Sequence, residues 1–335
     1  MINADGDARE LRPRILFTVG DVNGIGIEIL LRALCDPSIA GSFHPVIVGN
    51  RRLVTEYLAT AKALPPDLLL ESEFVEIDSD AVLRFGVVDA SVGRLAYDAI
   101  VAATNLALDG SAQAIVTMPI SKEGLHAAGC EFTAHTELIA SIVRGNPTMI
   151  LMTEGMLVAL ATIHVPIANV ASLLTFELIE MRLRQLESTL RSDFGCAQPR
   201  IAVLGLNPHS GENGLLGREE LDVIAPAVRA MRDAGVDITG PVPADGFFAR
   251  YTPGRFDGIL AMYHDQGLIP LKLFARGGGV NFTAGLPIVR TSPDHGTAFD
   301  IAGRGMADHQ SVVEAIAIAM RVVRNRHAAV AREIR

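Results

Sequence analysis

The stretch RILFTVGDVNGIGIEILLRAL, residues 14–34, sets the architecture. RILFTV (14–19) is mostly apolar and reads as a buried strand. GDVNGIG (20–26) reads as a loop, because glycine admits turns that other residues resist. IEILLRAL then opens a helix. Strand, glycine loop and helix form the unit from which parallel sheets are built, and the pattern recurs. PVIVG (45–49), AQAIVTMPI (112–120), MLVALATIH (156–164), RIAVLGLNPH (200–209) and DGILAMYH (257–264) are further short apolar strands. Helical spacing marks 95–110, 178–195, 218–235 and 311–334, the first three closed by a glycine. Pro and Gly clusters at 241–254 and 276–287 read as functional loops. The expected class is α/β with a mostly parallel sheet.

Composition bounds the function. A chain of 335 residues makes two or three domain-sized units, and 49% hydrophobic content supplies a large core. The formal charge, 29 − 38 = −9, argues against a general nucleic-acid binder. An anionic substrate must therefore be caught by a local cluster of Lys, Arg and His. Cys35, Cys130 and Cys196 are odd in number, widely spaced and without a CxxC. That pattern fits a reduced cytoplasmic protein with neither disulfides nor a thiolate zinc site. The opening MINADGDARELRPR is too polar for a signal peptide. Gly155–Phe176 carries no charge, but His164, Pro166 and Asn169 interrupt it. It reads as a strand, a turn and the start of another element, not as a membrane span.

Three strand-like runs end in histidine: His164, His209 and His264. Ligands of parallel sheets gather at the carboxyl ends of strands. Three imidazoles meeting there suit one divalent metal with an open position. The separations, 209 − 164 = 45 and 264 − 209 = 55, exclude a local zinc loop. A structural, hydrogen-bonded histidine is the alternative for each. Asp265, Asn207 and Glu212 are candidates to orient them, and Asn213 reads as a turn residue. FTAHTELIA (132–140) sets His135 and Thr136 before a helix, either as an anion site or with Thr136 as a plain cap. Lys272, Asn281 and Arg290 lie in a Gly- and Pro-rich stretch, 269–303, either clamping a phosphate or carboxylate or simply solvated. GDVNGIG is not GxGxxG and is weak evidence for a dinucleotide. DHGTAFDIAGRG (294–305) offers small residues that suit an adenosine.

GDVNGIGIEI, TMPISK, FTAHTELIA, ATIHVPI, LGLNPHSGENG, GPVPADGFF, AMYHDQGLIPLK, GVNFTAGLP and RTSPDHGTAFDIAG together resemble the 4-hydroxythreonine-4-phosphate dehydrogenase (PdxA) family, in order from Gly20 to Gly305. The resemblance implies a two-domain isocitrate/isopropylmalate dehydrogenase-like fold with its active site in the interdomain cleft. The expected division is 1–130 plus 285–335, with the cofactor segment, and 131–284, with metal and substrate residues. It implies a homodimer, with the active site at the subunit interface and His264 supplied by the partner subunit. A divalent metal (zinc, magnesium or cobalt) would sit on His164, His209 and His264. His135, Thr136, Lys272, Asn281 and Arg290 would hold a phosphorylated hydroxy acid. Asp294, His295, Gly296, Thr297, Ala298 and Asp300 would line the NAD or NADP site. Lys122, Asp245 and Asp265 are the candidates for proton transfer. Three positions depart from the family pattern: GDVNGIGIE for GDPAGIGPE, Ser121 for Asn or His, and Gly246 where ADT is usual. The substrate would be 4-phosphohydroxythreonine, or a threonate or erythronate 4-phosphate. A three-histidine metal hydrolase and a non-catalytic phospho-metabolite sensor are the competing readings.

Overall fold

The computed structural model describes residues 12–61, 72–132, 134–275 and 278–333. The polar opening, 1–11, and residues 133, 276, 277 and 334 of the segments read above lie outside them. The chain begins β1 (Arg14–Thr18), α1 (Gly26–Leu34), β2 (His44–Gly49), α2 (Arg51–Ala61), β3 (Glu73–Glu76) and α3 (Ala90–Leu108). Next come β4 (Ala114–Thr117), α4 (Lys122–Ala127), α5 (His135–Val143), β5 (Thr148–Thr153), β6 (Met156–Leu160), α6 (Ile167–Leu173) and α7 (Phe176–Ser192). Then follow β7 (Arg200–Leu204), a 3-10 segment (Pro208–Gly214), a π turn (Glu220–Ile224), α8 (Ala225–Asp233), β8 (Asp237–Val242) and α9 (Ala244–Ala249). The chain closes with β9 (Gly258–Ala261), α10 (His264–Ala275), β10 (Val280–Ala284), β11 (Val289–Pro293) and α11 (Gln310–Glu333). Side chains set several helix starts. Asp89 accepts from Ser91 N–H before α3, Ser121 from Gly124 N–H before α4, and Thr175 from Leu178 N–H before α7.

Eleven strands form one sheet in the order β3-β2-β1-β4-β11-β10-β5-β6-β9-β7-β8. Pairing is parallel except at β11–β10, β10–β5 and β5–β6. The strands of 1–130 and 285–335 lie together on one side and those of 131–284 on the other. Hydrogen bonds run through the junction without a break. Alternation along β1 explains the layers: Ile15 and Phe17 enter one core cluster and Leu16 another on the opposite face. The first cluster also takes Ile150, Ile201, Phe282 and Ile316, so one apolar layer underlies both halves. Among the described residues no helix is long and apolar enough to cross a membrane. Gly155–Phe176 folds as β6, a turn and α6, as read from its polar interruptions.

Several expectations change. The strands read as ending in histidine stop earlier, at Leu160, Leu204 and Ala261. His164 and His209 lie on the segments that follow, and His264 is the first residue of α10. Gly267 lies inside α10, where an added Cβ would stand 2.8 Å from Val158 and 2.9 Å from Leu160. Nor is 269–303 one loop: α10, β10 and β11 pass through it, and α9 occupies part of 241–254. Flanking glycines and prolines hid these short elements, whose stability comes from tertiary pairing and packing. The helix read at 218–235 does form, opening as the π turn and continuing as α8.

Helix α4 is held against α3 by a close backbone approach. A Cβ on Gly93 would fall 2.2 Å from the Gly124 carbonyl oxygen. Gly93→Ala is therefore expected to cost about 1–3 kcal/mol through overpacking, read as a lower midpoint in denaturant unfolding. An unchanged midpoint would show that the helices part freely.

Candidate active site

A cavity of about 400 Å³ opens where the sheet reverses direction, between β4, β11, β10 and β5. Thr117 and Lys122 reach it from the β4–α4 connection, His135 to Glu137 from the first turn of α5, and Met149 from β5. His164 follows β6, while His264 and Lys272 lie one face apart on α10. Asn281 and Ser292 are directly opposed across the β10–β11 ladder, and Arg290, Asp294, His295 and Gly296 complete the wall.

Arg290 is the centre of this arrangement. It is 1% exposed. Its Nε and Nη2 donate to Thr117 Oγ1 at 3.2 and 2.7 Å, and Nη1 donates to Thr283 Oγ1 at 3.0 Å. Those acceptors come from the strands on its two sides, leaving other guanidinium N–H groups for a ligand. Burial pushes its pKa down to about 10, partly offset by the Glu137 charge. Arg290 therefore remains cationic at neutral pH. His135 lies close by and its ring nitrogen meets the Met118 carbonyl at 3.2 Å. Its ring keeps some surface but is densely surrounded. Burial first, and the Arg290 charge second, hold its pKa well below the ordinary imidazole value. It is a neutral imidazole at pH 7.

Helix α5 starts at Ala134, which has no side chain to cap it. Thr136 is thus not the N-cap, and the uncapped first turn of the helix borders the cavity. Three buried polar atoms at the cavity have no partner among the described residues: Asn281 Oδ1, Glu137 Oε2 and His295 Nε2. Each such atom costs about 1–3 kcal/mol unless a ligand or water meets it. Lys272 Nζ stands 3.6 Å from Asp294 Oδ2. Burial raises the Asp294 pKa against the pull of that lysine, and burial also lowers His295. Lys122, Lys272 and Arg290 thus concentrate positive charge in a chain that is negative overall.

The rings of His164 and His264 lie side by side, with centroids 5.9 Å apart. His264 Nδ1 bonds Asp265 Oδ1 at 2.7 Å, so Asp265 orients an imidazole. His164 Nδ1 is 3.8 Å from Glu137 Oε1, too long for a direct hydrogen bond. The imidazole is near enough to hold the Glu137 carboxyl below its usual range, against burial. Two adjacent imidazoles, each beside a carboxylate, are two of the donors that a divalent cation takes. His209 does not join them: among the described residues no three His, Cys, Asp or Glu side chains converge as a metal site. His264, expected from a second subunit, stands beside His164 of its own chain.

Asp245 is exposed on α9 and does not line the cavity. Thr297, Ala298 and Asp300 lie beyond its wall. The Thr297 carbonyl accepts from Ile25 N–H at 2.9 Å, and Ala298 is held at φ 42°. A Cβ on Gly24 would come within 2.6 Å of that same carbonyl oxygen. Gly24 therefore serves close packing of the 294–300 segment. Ser121, one of the departures, is the cap of α4. Sequence reasoning missed Thr117, Thr283 and Glu137. All three stood inside quoted motifs, Thr117 in TMPISK, Thr283 in GVNFTAGLP and Glu137 in FTAHTELIA, but a strand threonine carries no signal of its own until a buried arginine is seen to need it.

Similarity to known proteins agrees with this geometry. Residues 42–319 match the family described as "PdxA: Pyridoxal phosphate biosynthetic protein PdxA". The chain is 41% identical over 330 residues to 4-hydroxythreonine-4-phosphate dehydrogenase of Bacteroides thetaiotaomicron, covering 95% of this chain and 90% of that one. It is 39% identical over 323 residues to D-threonate 4-phosphate dehydrogenase of Pectobacterium atrosepticum, covering 92% and 98%. A crystal structure of 4-hydroxythreonine-4-phosphate dehydrogenase from Klebsiella pneumoniae matches with a TM-score of 0.82 at 40% identity, covering 93% of this chain and 98% of that one. Isocitrate dehydrogenase from Methylococcus capsulatus, at 14% identity and a TM-score of 0.51, covering 95% and 87%, shares the fold alone. That fold is the isocitrate dehydrogenase-like one expected from the sequence. The chain belongs to the PdxA family of pyridoxal phosphate biosynthetic proteins.

Proposed function

We propose that the chain oxidises 4-phosphohydroxy-L-threonine with NAD or NADP, giving a β-keto acid that loses CO2 to leave 3-amino-2-oxopropyl phosphate. The observation that carries this reading is the buried Arg290 at the wall of a cavity that also holds Lys272, His135 and the uncapped start of α5. Together these groups suit a phosphate, Arg290 through a fixed fork of donors and the helix start through its N–H groups. Asn281 Oδ1 and Glu137 Oε2 are acceptors suited to substrate hydroxyl and ammonium groups. Anchoring the phosphate places the reacting carbon beside His164 and His264, so binding energy remote from the reaction orients it.

Lys122 is the one of the three proton-transfer candidates that lines the cavity and is not bonded to a neighbour as Asp265 is. We assign it the substrate hydroxyl proton, and Asp265 the orientation of His264. His164 and His264, with His209 of a second copy, would hold a divalent cation (zinc, magnesium or cobalt), and such a cation would supply Lewis acidity there. Asp294, His295 and Gly296 on the cavity wall would receive the nicotinamide cofactor, which would supply the hydride acceptor. A homodimer is supported by the apolar side chains exposed on α10, Ile269, Leu273 and Phe274, and after His209, Leu215, Leu216 and Leu221. We read the two lobes as 1–130 with 285–335 and 131–284, meeting at β11–β10.

Oxidation of D-threonate or D-erythronate 4-phosphate is the second reading, favoured by the nearly equal identity to the D-threonate 4-phosphate enzyme. Purified protein assayed for NADH or NADPH formation on all three 4-phosphates separates the two. The highest kcat/KM is expected for 4-phosphohydroxythreonine, with activity lost on chelation and restored by a divalent metal. Activity on none of them, or full activity after chelation, rejects the proposal.

Arg290→Ala is expected to lower kcat/KM for the phosphorylated substrate by about a hundredfold or more, since it removes charge-assisted donors. A loss equally large with an unphosphorylated substrate would place Arg290 elsewhere. For His135 the folded state resists protonation that the unfolded chain accepts below the ordinary imidazole value of 6.5. The contribution of the neutral ring to stability is thus present above that pH and lost as pH falls through it. Denaturation midpoints from pH 7.5 to 5.5 should fall less in His135→Asn than in the wild type. Parallel pH curves for the two would contradict a neutral His135.

A further inference from the structure

His209 stands on a backbone unlike any other among the described residues. Five consecutive residues, His209 to Asn213, have φ of 54, 51, 80, 45 and 56°. Only Gly211 among them tolerates this region without strain. At the ends of the loop Ser210 N–H bonds the Asn207 carbonyl at 3.1 Å, Leu215 N–H that of Glu212 at 3.2 Å and Leu216 N–H that of Gly211 at 3.0 Å. Residues held in such conformations persist only where their surroundings over-determine them.

The surroundings are a carboxylate pair. Glu220 is 3% exposed, although His209 above it is exposed. Glu220 Oε1 accepts from Asn207 N–H at 2.7 Å, and its Oε2 accepts from Asn207 Nδ2 at 2.9 Å. Glu219 Oε2 accepts from the same Nδ2 at 2.6 Å. The loop is moulded to this clamp. A Cβ on Gly211 would stand 2.7 Å from Glu220 Oε2, and one on Gly217 would stand 2.4 Å from Asn207 Nδ2. Glu220 opens the π turn Glu220–Ile224, and such turns are rare and frequent at functional positions.

We infer that Glu220, aided by Glu219, is a positioning residue that grips Asn207 and so holds the left-handed loop that presents His209 for metal binding. The inference rests on His209 as a metal ligand, as proposed above. Asn207, expected to touch His209 itself, acts instead as the link. The chemistry requires a carboxylate. Both oxygens of Glu220 accept, and both partners are donors. A glutamine would set its own NH2 against one of them.

The test uses the full-length protein stripped of metal and titrated with cobalt(II), read by its visible spectrum and by competition with a chromophoric chelator. Glu220→Gln is expected to weaken cobalt binding by about 10–100-fold, as loss of a group behind a ligand does. Gly211→Ala, which displaces the clamp without removing a polar group, should do the same and covers the case in which Glu220→Gln fails to fold. Gly93→Ala, destabilised elsewhere, should bind cobalt as the wild type does. If His209→Ala binds as tightly as the wild type, His209 is no ligand and the underlying reading fails. If His209→Ala loses cobalt while Glu220→Gln and Gly211→Ala keep it, the positioning role alone is overturned. An equal loss in Gly93→Ala would reduce the effect to stability and also overturn it.

Discussion

A guanidinium sealed inside a β-sheet is the constraint around which this molecule is organised. An isolated buried charge is prohibitively costly, so its surroundings must supply acceptors. Arg290 finds them in Thr117 of β4 and Thr283 of β10, one on each side of its own strand. The same hydrogen bonds thereby tie the first and last segments of the chain to the middle one. The charge also acts on its neighbours. It helps keep His135 neutral, while Glu137 at the start of α5 supports the cation. Fold and site thus share one interaction, because the residue that would bind an anion also fastens the two halves of the sheet.

Much of this was legible from residue patterns, for identifiable reasons. Apolar runs long enough to cross a buried sheet announced β1, β2, β4, β6, β7 and β9, and helical spacing with glycine stops announced α3 and α7. Short elements embedded among glycines and prolines, β10 and β11 above all, were not legible, because their strand character depends on cross-ladder partners distant in sequence. His135, Thr136, Lys272, Asn281 and Arg290 do meet around one cavity. His209 and Asp245 do not, since spacing along a sequence does not say which segments the fold brings together. Thr117 and Thr283 were invisible because a threonine in a strand is ordinary until a buried arginine is seen to need it.

The histidine-ended segments illustrate how a correct grouping can rest on an inexact picture. His264 opens a helix, and the residues after it divide the labour of holding it. Asp265 takes the ring. Gln266 Oε1 accepts from Met262 N–H at 2.7 Å, while its Nε2 donates to the Gly205 carbonyl at 2.6 Å, joining β9 to the end of β7. Gly267 lets the helix lie against β6. The polar tip of an apolar run is therefore a bracket between two neighbouring strands.

The unbroken sheet also governs how the cleft can change width. Two lobes joined by a flexible linker swing about a point, but here the join is a three-pairing antiparallel ladder, β11–β10–β5–β6, that carries Asn281, Ser292 and Met149 on the cavity side. Widening or narrowing the cleft must be a change of twist along that ladder. The groups poised to grip a ligand are thus mounted on the torsion spring itself, and mechanical stiffness and grip on the ligand are coupled through the same few strands.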